Sequence, residues 1–144
     1  MGQLRRRSGR RVSTGQSEWD WREVHLKDYR INFQEFLGEP PAHGLVVAYA
    51  VCDLESGAEQ TGIVLKVGVD TRARVYLNGR QIYRNACNSS YTPDQFVTTG
   101  VPLKAGSNVL VFKTVSGPRW LGSVRLTDAA GRPVKGLKLT LNPP

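Results

Sequence analysis

The chain has 144 residues, a net charge of +8, and 40% hydrophobic and 22% charged residues, an ordinary composition for one globular domain with a core of its own. No apolar run approaches the ~20 residues of a membrane-spanning helix, and the arginines between Met1 and Gln16 are not followed by the apolar segment of a secretory signal peptide. Two cysteines, Cys52 and Cys87, are too few for a disulfide framework and lack metal-ligand spacing.

Arg5, Arg6, Arg7, Arg10 and Arg11 come before Gln16 with no acid among them. Residues 1–17 are therefore expected to be a disordered, Arg-rich arm, and residues 18–144 a folded domain. Such an arm serves nucleic acid or acidic lipid, or is simply a solubilising linker. Trp19 to Leu26 alternates and reads as a first strand with Trp19 and Trp21 on one face, an aromatic strip if that strand lies at an edge. Phe33, Phe36 and Leu37 at i, i+3 and i+4 predict a short helical turn ending near Gly38, because Pro40-Pro41 forbids continuation. Its aromatics read as a plug on the core.

Leu45 to Leu54 is a nearly continuous apolar run, the pattern of a central strand covered on both faces, with Cys52 as a small hydrophobe. Gly62 to Val69 reads as the next strand. Asn78-Gly79 then sits between two alternating arms, a strong hairpin signal, since a two-residue type I′ turn needs positive φ at both central positions. The simple register places Leu77 opposite Arg80, Tyr76 opposite Gln81, Val75 opposite Ile82 and Arg74 opposite Tyr83. One face is then apolar (Val75, Leu77, Ile82) and the other polar (Arg74, Tyr76, Gln81, Tyr83), as in a sheet packed from one side. Asn85 to Pro93 is a polar loop. Gln95–Thr98, Asn108–Val115, Trp120–Thr127 and Gly136–Leu141 are further strands between Gly, Pro and Asn turns. Eight or nine strands with one short helix predict an all-β antiparallel sandwich or barrel.

The order of four segments resembles the galactose-binding-domain-like jelly-roll β-sandwiches, the carbohydrate-binding-module-like family. The segments are Ala48-Tyr49-Ala50-Val51, Gly68-Val69-Asp70 leading to Val75-Tyr76-Leu77-Asn78-Gly79, Leu103 to Lys113, and Trp120 to Leu126. The resemblance implies an antiparallel jelly-roll sandwich and a non-catalytic module, often carbohydrate-binding through loops at one end. It also implies that the module can serve instead as a structural or protein-docking unit beside an adjoining domain. Val69-Asp70-Thr71-Arg72 departs from an Asp-Asp-Gly-like turn found in relatives, and Ser107 stands where many carry Trp.

The residues give little support for catalysis. His25 and His43 are the only histidines, and neither sits in a nucleophile motif. The carboxylates are scattered, with no pair singled out for glycoside hydrolysis, and no dense oxygen cluster points to calcium. Neither a cofactor nor a metal is expected. The candidate ligand-binding residues are Asp70 and Arg72 in one turn with Asn85, Asn88, Tyr91 and Asp94 in the loop after the hairpin. There Tyr91 would stack on a pyranose and the amides and acids would reach its hydroxyls. Trp19 and Trp21 are an alternative aromatic surface, and Trp120 reads as core. A weaker alternative partner is nucleic acid, held by the arm and by Arg72, Arg74, Arg80 and Arg84.

Overall fold

A computed structural model describes residues 11–13 and 18–140, those before Trp21 by backbone alone. Strands β1 (Arg11–Ser13) and β2 (Glu18–Asp20) pair with each other in a two-stranded ribbon. The domain continues with β3 (Arg30–Asn32), α1 (Phe33–Leu37), β4 (Val47–Ser56), β5 (Gln60–Val69), β6 (Ala73–Leu77), β7 (Arg80–Asn85), β8 (Phe96–Leu103), β9 (Gly106–Val115), β10 (Leu121–Thr127) and β11 (Leu137–Thr140). Two antiparallel sheets result, one in the order β3-β10-β5-β8 and one in the order β11-β4-β9-β6-β7. This is the β-sandwich expected from the spacing of strands and turns. Arg11–Ser13, assigned by composition to an arm, lies in the ribbon; residues 1–10 and 14–17 of that arm lie outside the described residues.

The inner faces alternate as a one-sided core requires. Ile63, Leu65, Val67 and Val69 of β5 meet Val75 and Leu77 of β6, Leu110 and Phe112 of β9, and Val101 and Leu103 of β8. Of the aromatics expected to plug the core, Phe33 of α1 does so, buried with its ring 5.5 Å from Trp120 and 6.0 Å from Phe112, while Phe36 is half-buried and Leu37 is exposed. Gly38, at φ 81, ends the helix as its N–H donates to the Gln34 carbonyl at 2.9 Å. Trp120 is core, as expected, Cys52 is half-buried against the core and Cys87 is exposed.

Three local expectations are corrected. The strand foreseen over Trp19 to Leu26 stops at Asp20, and Arg22 to Tyr29 are exposed and outside the strands. Strand β4 is not covered on both faces: Ala48 and Leu54 are buried inward while Val47 and Tyr49 face out exposed. The third concerns the hairpin. Asn78 (φ 51) and Gly79 (φ 82) adopt the turn that the pair predicts, and Leu77↔Arg80 and Tyr76↔Gln81 pair as expected. The next pair is Val75↔Tyr83, so Ile82 is an extra residue, a β-bulge. Tyr83 thereby turns inward, its ring 5.5 Å from Phe96, and Arg84 takes its place opposite Arg74. Burial pushes the Tyr83 phenol up to about 12.

Antiparallel pairing sorts the connections onto two ends. One end holds the turns after β4, β6, β8 and β10. The other, the loop end, gathers the segments after α1, β5, β7 and β9.

Candidate functional site

At the loop end the chain after α1 and the chain after β9 are laced together. The Val46 N–H donates to Ser116 Oγ at 2.9 Å, and the Ser116 N–H donates back to the Val46 carbonyl at 2.7 Å. Gln34 Nε2 reaches the Pro118 carbonyl at 3.5 Å. Gly117 lets the β9–β10 segment pass close over the β5–β6 turn, since a Cβ there would lie 2.5 Å from Thr71 Cγ2. Beneath it, the hydroxyls of Thr71 and Thr114 pair at 2.9 Å. Between these segments lies an open crevice of about 420 Å³ lined by Gln34, Glu39, Pro40, Leu45, Ser116 and Pro118 among others, within the ~300–1,000 Å³ typical of small-ligand sites. Pro40, Pro41, Gly44, Gly117 and Pro118 make up half of its lining. Glu39 is the single charged side chain in its lining.

The residues singled out in the sequence lie at or near this end, but most are turned toward the fold. Asp70 is buried and its Oδ1 accepts the Leu121 N–H at 3.1 Å. Burial raises its carboxyl above the ordinary range, more than the hydrogen bonds from the Leu121 and Asp70 backbones and the nearby Arg119 charge lower it. Asn85 Oδ1 accepts the Cys87 N–H at 3.0 Å, closing a local turn. Asp94, at φ 55, pairs with Arg125 through two contacts, one of them Nε–Oδ1 at 3.0 Å, and the hydrogen bond keeps that guanidinium firmly charged. Tyr91 is half-buried over Gly68, where a Cβ would come within 3.0 Å of its ring. Arg72 and Asn88 remain exposed. Trp21 is half-buried, and the side chain of Trp19 lies outside the described residues.

Two features escaped the sequence reading. Gln95 organises the β7–β8 loop: its Oε1 accepts the Val69 N–H at 3.4 Å, while Nε2 donates to Ser89 Oγ at 3.2 Å and to the Ser90 carbonyl at 3.0 Å. Ser89 completes the clamp, donating to the Val69 carbonyl from Oγ at 2.9 Å and to the Asp70 carbonyl from its N–H at 3.2 Å. The loop's polarity thus satisfies backbone groups that β5 leaves at its end. The crevice was missed because its lining comes from Pro40-Pro41, Gly44 and Gly117-Pro118, which read only as loop punctuation.

No protein-family model matches the chain, and no curated protein sequence does. Among solved structures, a family 35 carbohydrate-binding module from an environmental isolate is similar, with 23% identity and a TM-score of 0.45 over 66% of this chain and 72% of that one.

Proposed function

We propose that the protein is a non-catalytic β-sandwich binding module that holds an uncharged carbohydrate at its loop end. The observation that carries this reading is the crevice between the α1–β4 and β9–β10 segments. Its volume suits a small saccharide, and its polar groups, the Gln34 amide, the Glu39 carboxylate and the Ser116 hydroxyl, are the kinds that fix sugar hydroxyls. The lone carboxylate there supports binding over hydrolysis, which takes a pair of carboxyl groups about 5–10 Å apart. Arg72 and Asn88, exposed at the same end, would lengthen the contact. A second reading, a docking site for a protein partner, is favoured by Leu45, which is 64% exposed at the crevice, and by the neighbouring exposed Val47.

Affinity electrophoresis through gels containing galactan, xylan, mannan or β-glucan tests the assignment. Retardation by at least one of these, lost in Gln34→Ala/Glu39→Gln and retained in Tyr91→Ala, is expected. Loss in Tyr91→Ala alone would move the site to the β7–β8 loop. Free migration through every gel would refute carbohydrate binding and leave the docking reading.

A further inference from the structure

On one side of the sandwich the two sheets meet edge to edge. Strand β7 is the last of the five-stranded sheet and pairs only with β6, and β8 is the last of the four-stranded sheet and pairs only with β5. The two edges touch where the Tyr83 and Phe96 rings lie 5.5 Å apart. Toward the end opposite the crevice they leave a groove of about 210 Å³, lined by Arg80 to Ile82 on one side and Thr98 to Pro102 on the other. Ile82, Val101 and Pro102 are its apolar members, and Arg80 is its single charged one. Among the described residues no backbone hydrogen bond joins β7 to β8, so each strand keeps one row of N–H and C=O groups without a strand partner.

Such an edge is a template for another strand, and an inward-pointing charge is one way to guard it. Arg80 stands opposite Leu77, which is buried in the core, so it lies on the inward face of β7; it is nevertheless exposed and lines the groove. The surroundings add to its charge. Arg72, Arg74, Arg80 and Arg84 are all exposed, and no Asp or Glu occurs between Asp70 and Asp94. The ion pairs among the described residues are Glu23–His25, Asp94–Arg125 and Asp128–Arg132, so none of these four arginines has an acidic partner there. Strand β8 itself carries no charged residue.

This arrangement selects among strands. A neutral strand laid beside β7 would strip water from the Arg80 guanidinium and give no partner in return. A second copy of the chain paired edge to edge would set its own arginines against these. A strand that brings carboxylates supplies the missing partner, to which the planar guanidinium donates through two parallel N–H groups.

We infer that this groove docks an extended, acidic segment of a protein partner, which adds alongside β7 with a carboxylate on Arg80. Two features favour a polypeptide over other polyanions. The groove is bounded by two strand edges, whose unpaired N–H and C=O groups are met in register by another extended backbone. Stacking of nucleic-acid bases needs exposed aromatic faces, and here Tyr83 and Phe96 are turned onto each other. The rim is also held in place before docking. Two residues before Arg80, Asn78 Nδ2 donates to Asn108 Oδ1 and the Val109 N–H donates to Asn78 Oδ1, both at 2.9 Å, so binding has few protein groups left to order. The groove is separate from the loop-end crevice and does not depend on it.

The probe is a fluorescent eight-residue peptide of alternating glutamate and threonine, long enough to run beside the six residues of β7. Its binding is followed by anisotropy on the full chain, and on the full chain with Arg5, Arg6, Arg7, Arg10 and Arg11 changed to Gln. Binding is expected in both, with slower hydrogen exchange of β7 amides in the complex. Arg80→Ser is expected to weaken it about tenfold or more, and Arg80→Lys to restore it in part. Arg80→Glu should abolish it and admit a lysine–threonine peptide instead. The crevice pair Gln34→Ala/Glu39→Gln should leave it unchanged. Arg80 is exposed, so the melting temperature serves as a folding control. Absence of binding, or an affinity that Arg80→Ser leaves unchanged, would overturn the assignment. So would loss of binding with the arm's charge or in the crevice pair. Equal binding of oligothymidylate, of a glutamine–threonine peptide, or of the probe N-methylated at alternate amides would overturn it as well.

Discussion

Asn108 offers a sharp test of how the two turns at one end of the sandwich are held. It is fully buried in β9 and satisfies both of its polar atoms. Oδ1 accepts from Asn78 Nδ2 at 2.9 Å and from the Lys104 N–H at 3.0 Å, and Nδ2 donates to the Lys104 carbonyl at 2.9 Å and the Gly106 carbonyl at 3.0 Å. Asn78 Oδ1 in turn accepts the Val109 N–H at 2.9 Å. One side chain therefore ties the β8–β9 turn to the hairpin tip. Asn108→Ala removes four hydrogen bonds, each worth about 0.5–1.5 kcal/mol net, and strands polar partners at about 1–3 kcal/mol apiece where water cannot reach them. Part of the turn is near solvent and will rehydrate, so the expected loss is about 3 kcal/mol rather than the full sum. Urea unfolding followed by tryptophan fluorescence measures it. In a double-mutant cycle, Asn78→Ala and Asn108→Ala should couple by roughly 0.5–3 kcal/mol. A loss under about 1 kcal/mol, or additivity of the two changes, would refute the claim that the network holds the turns.

Gly68→Ala places a Cβ 2.5 Å from the Thr92 carbonyl oxygen and 2.7 Å from Ser123 Oγ. It should destabilise by about 1–3 kcal/mol and speed hydrogen exchange of the Ser89 amide as the β7–β8 loop lifts. For Asp70 the folded carboxyl is raised above its unfolded value by burial. The folded state then holds its proton to higher pH than the unfolded chain. Stability from this group falls as pH rises from the ordinary carboxylate range through the raised value, and stays low above it. Asp70→Asn, which keeps an oxygen for the Leu121 N–H, should flatten that fall in a pH series of denaturation midpoints.

The local turns were legible because they depend on a few adjacent residues. Asn78-Gly79 sets positive φ wherever it lies, and Gly38 with Pro40-Pro41 ends α1 without help from the rest of the fold. Alternation likewise placed Val75 and Leu77 inward, and the general burial of tryptophan placed Trp120 in the core. The β-sandwich followed from these short-range signals in series.

What lay beyond the sequence was set by groups far apart in the chain. Two-residue hairpin geometry makes Tyr83 a surface residue; the bulge at Ile82 turns its ring onto Phe96 and brings Arg84 beside Arg74. Polarity makes the β7–β8 loop look like a ligand site, yet Gln95 and Ser89 are bound to the end of β5. The crevice exists because Ser116 and Val46, 70 residues apart, exchange hydrogen bonds. Sequence determines a conformation when the forces on it are local, as at Asn78-Gly79. Where a side chain points, and which loops meet, depend on which strands lie alongside, and that is decided by the packing of two whole sheets.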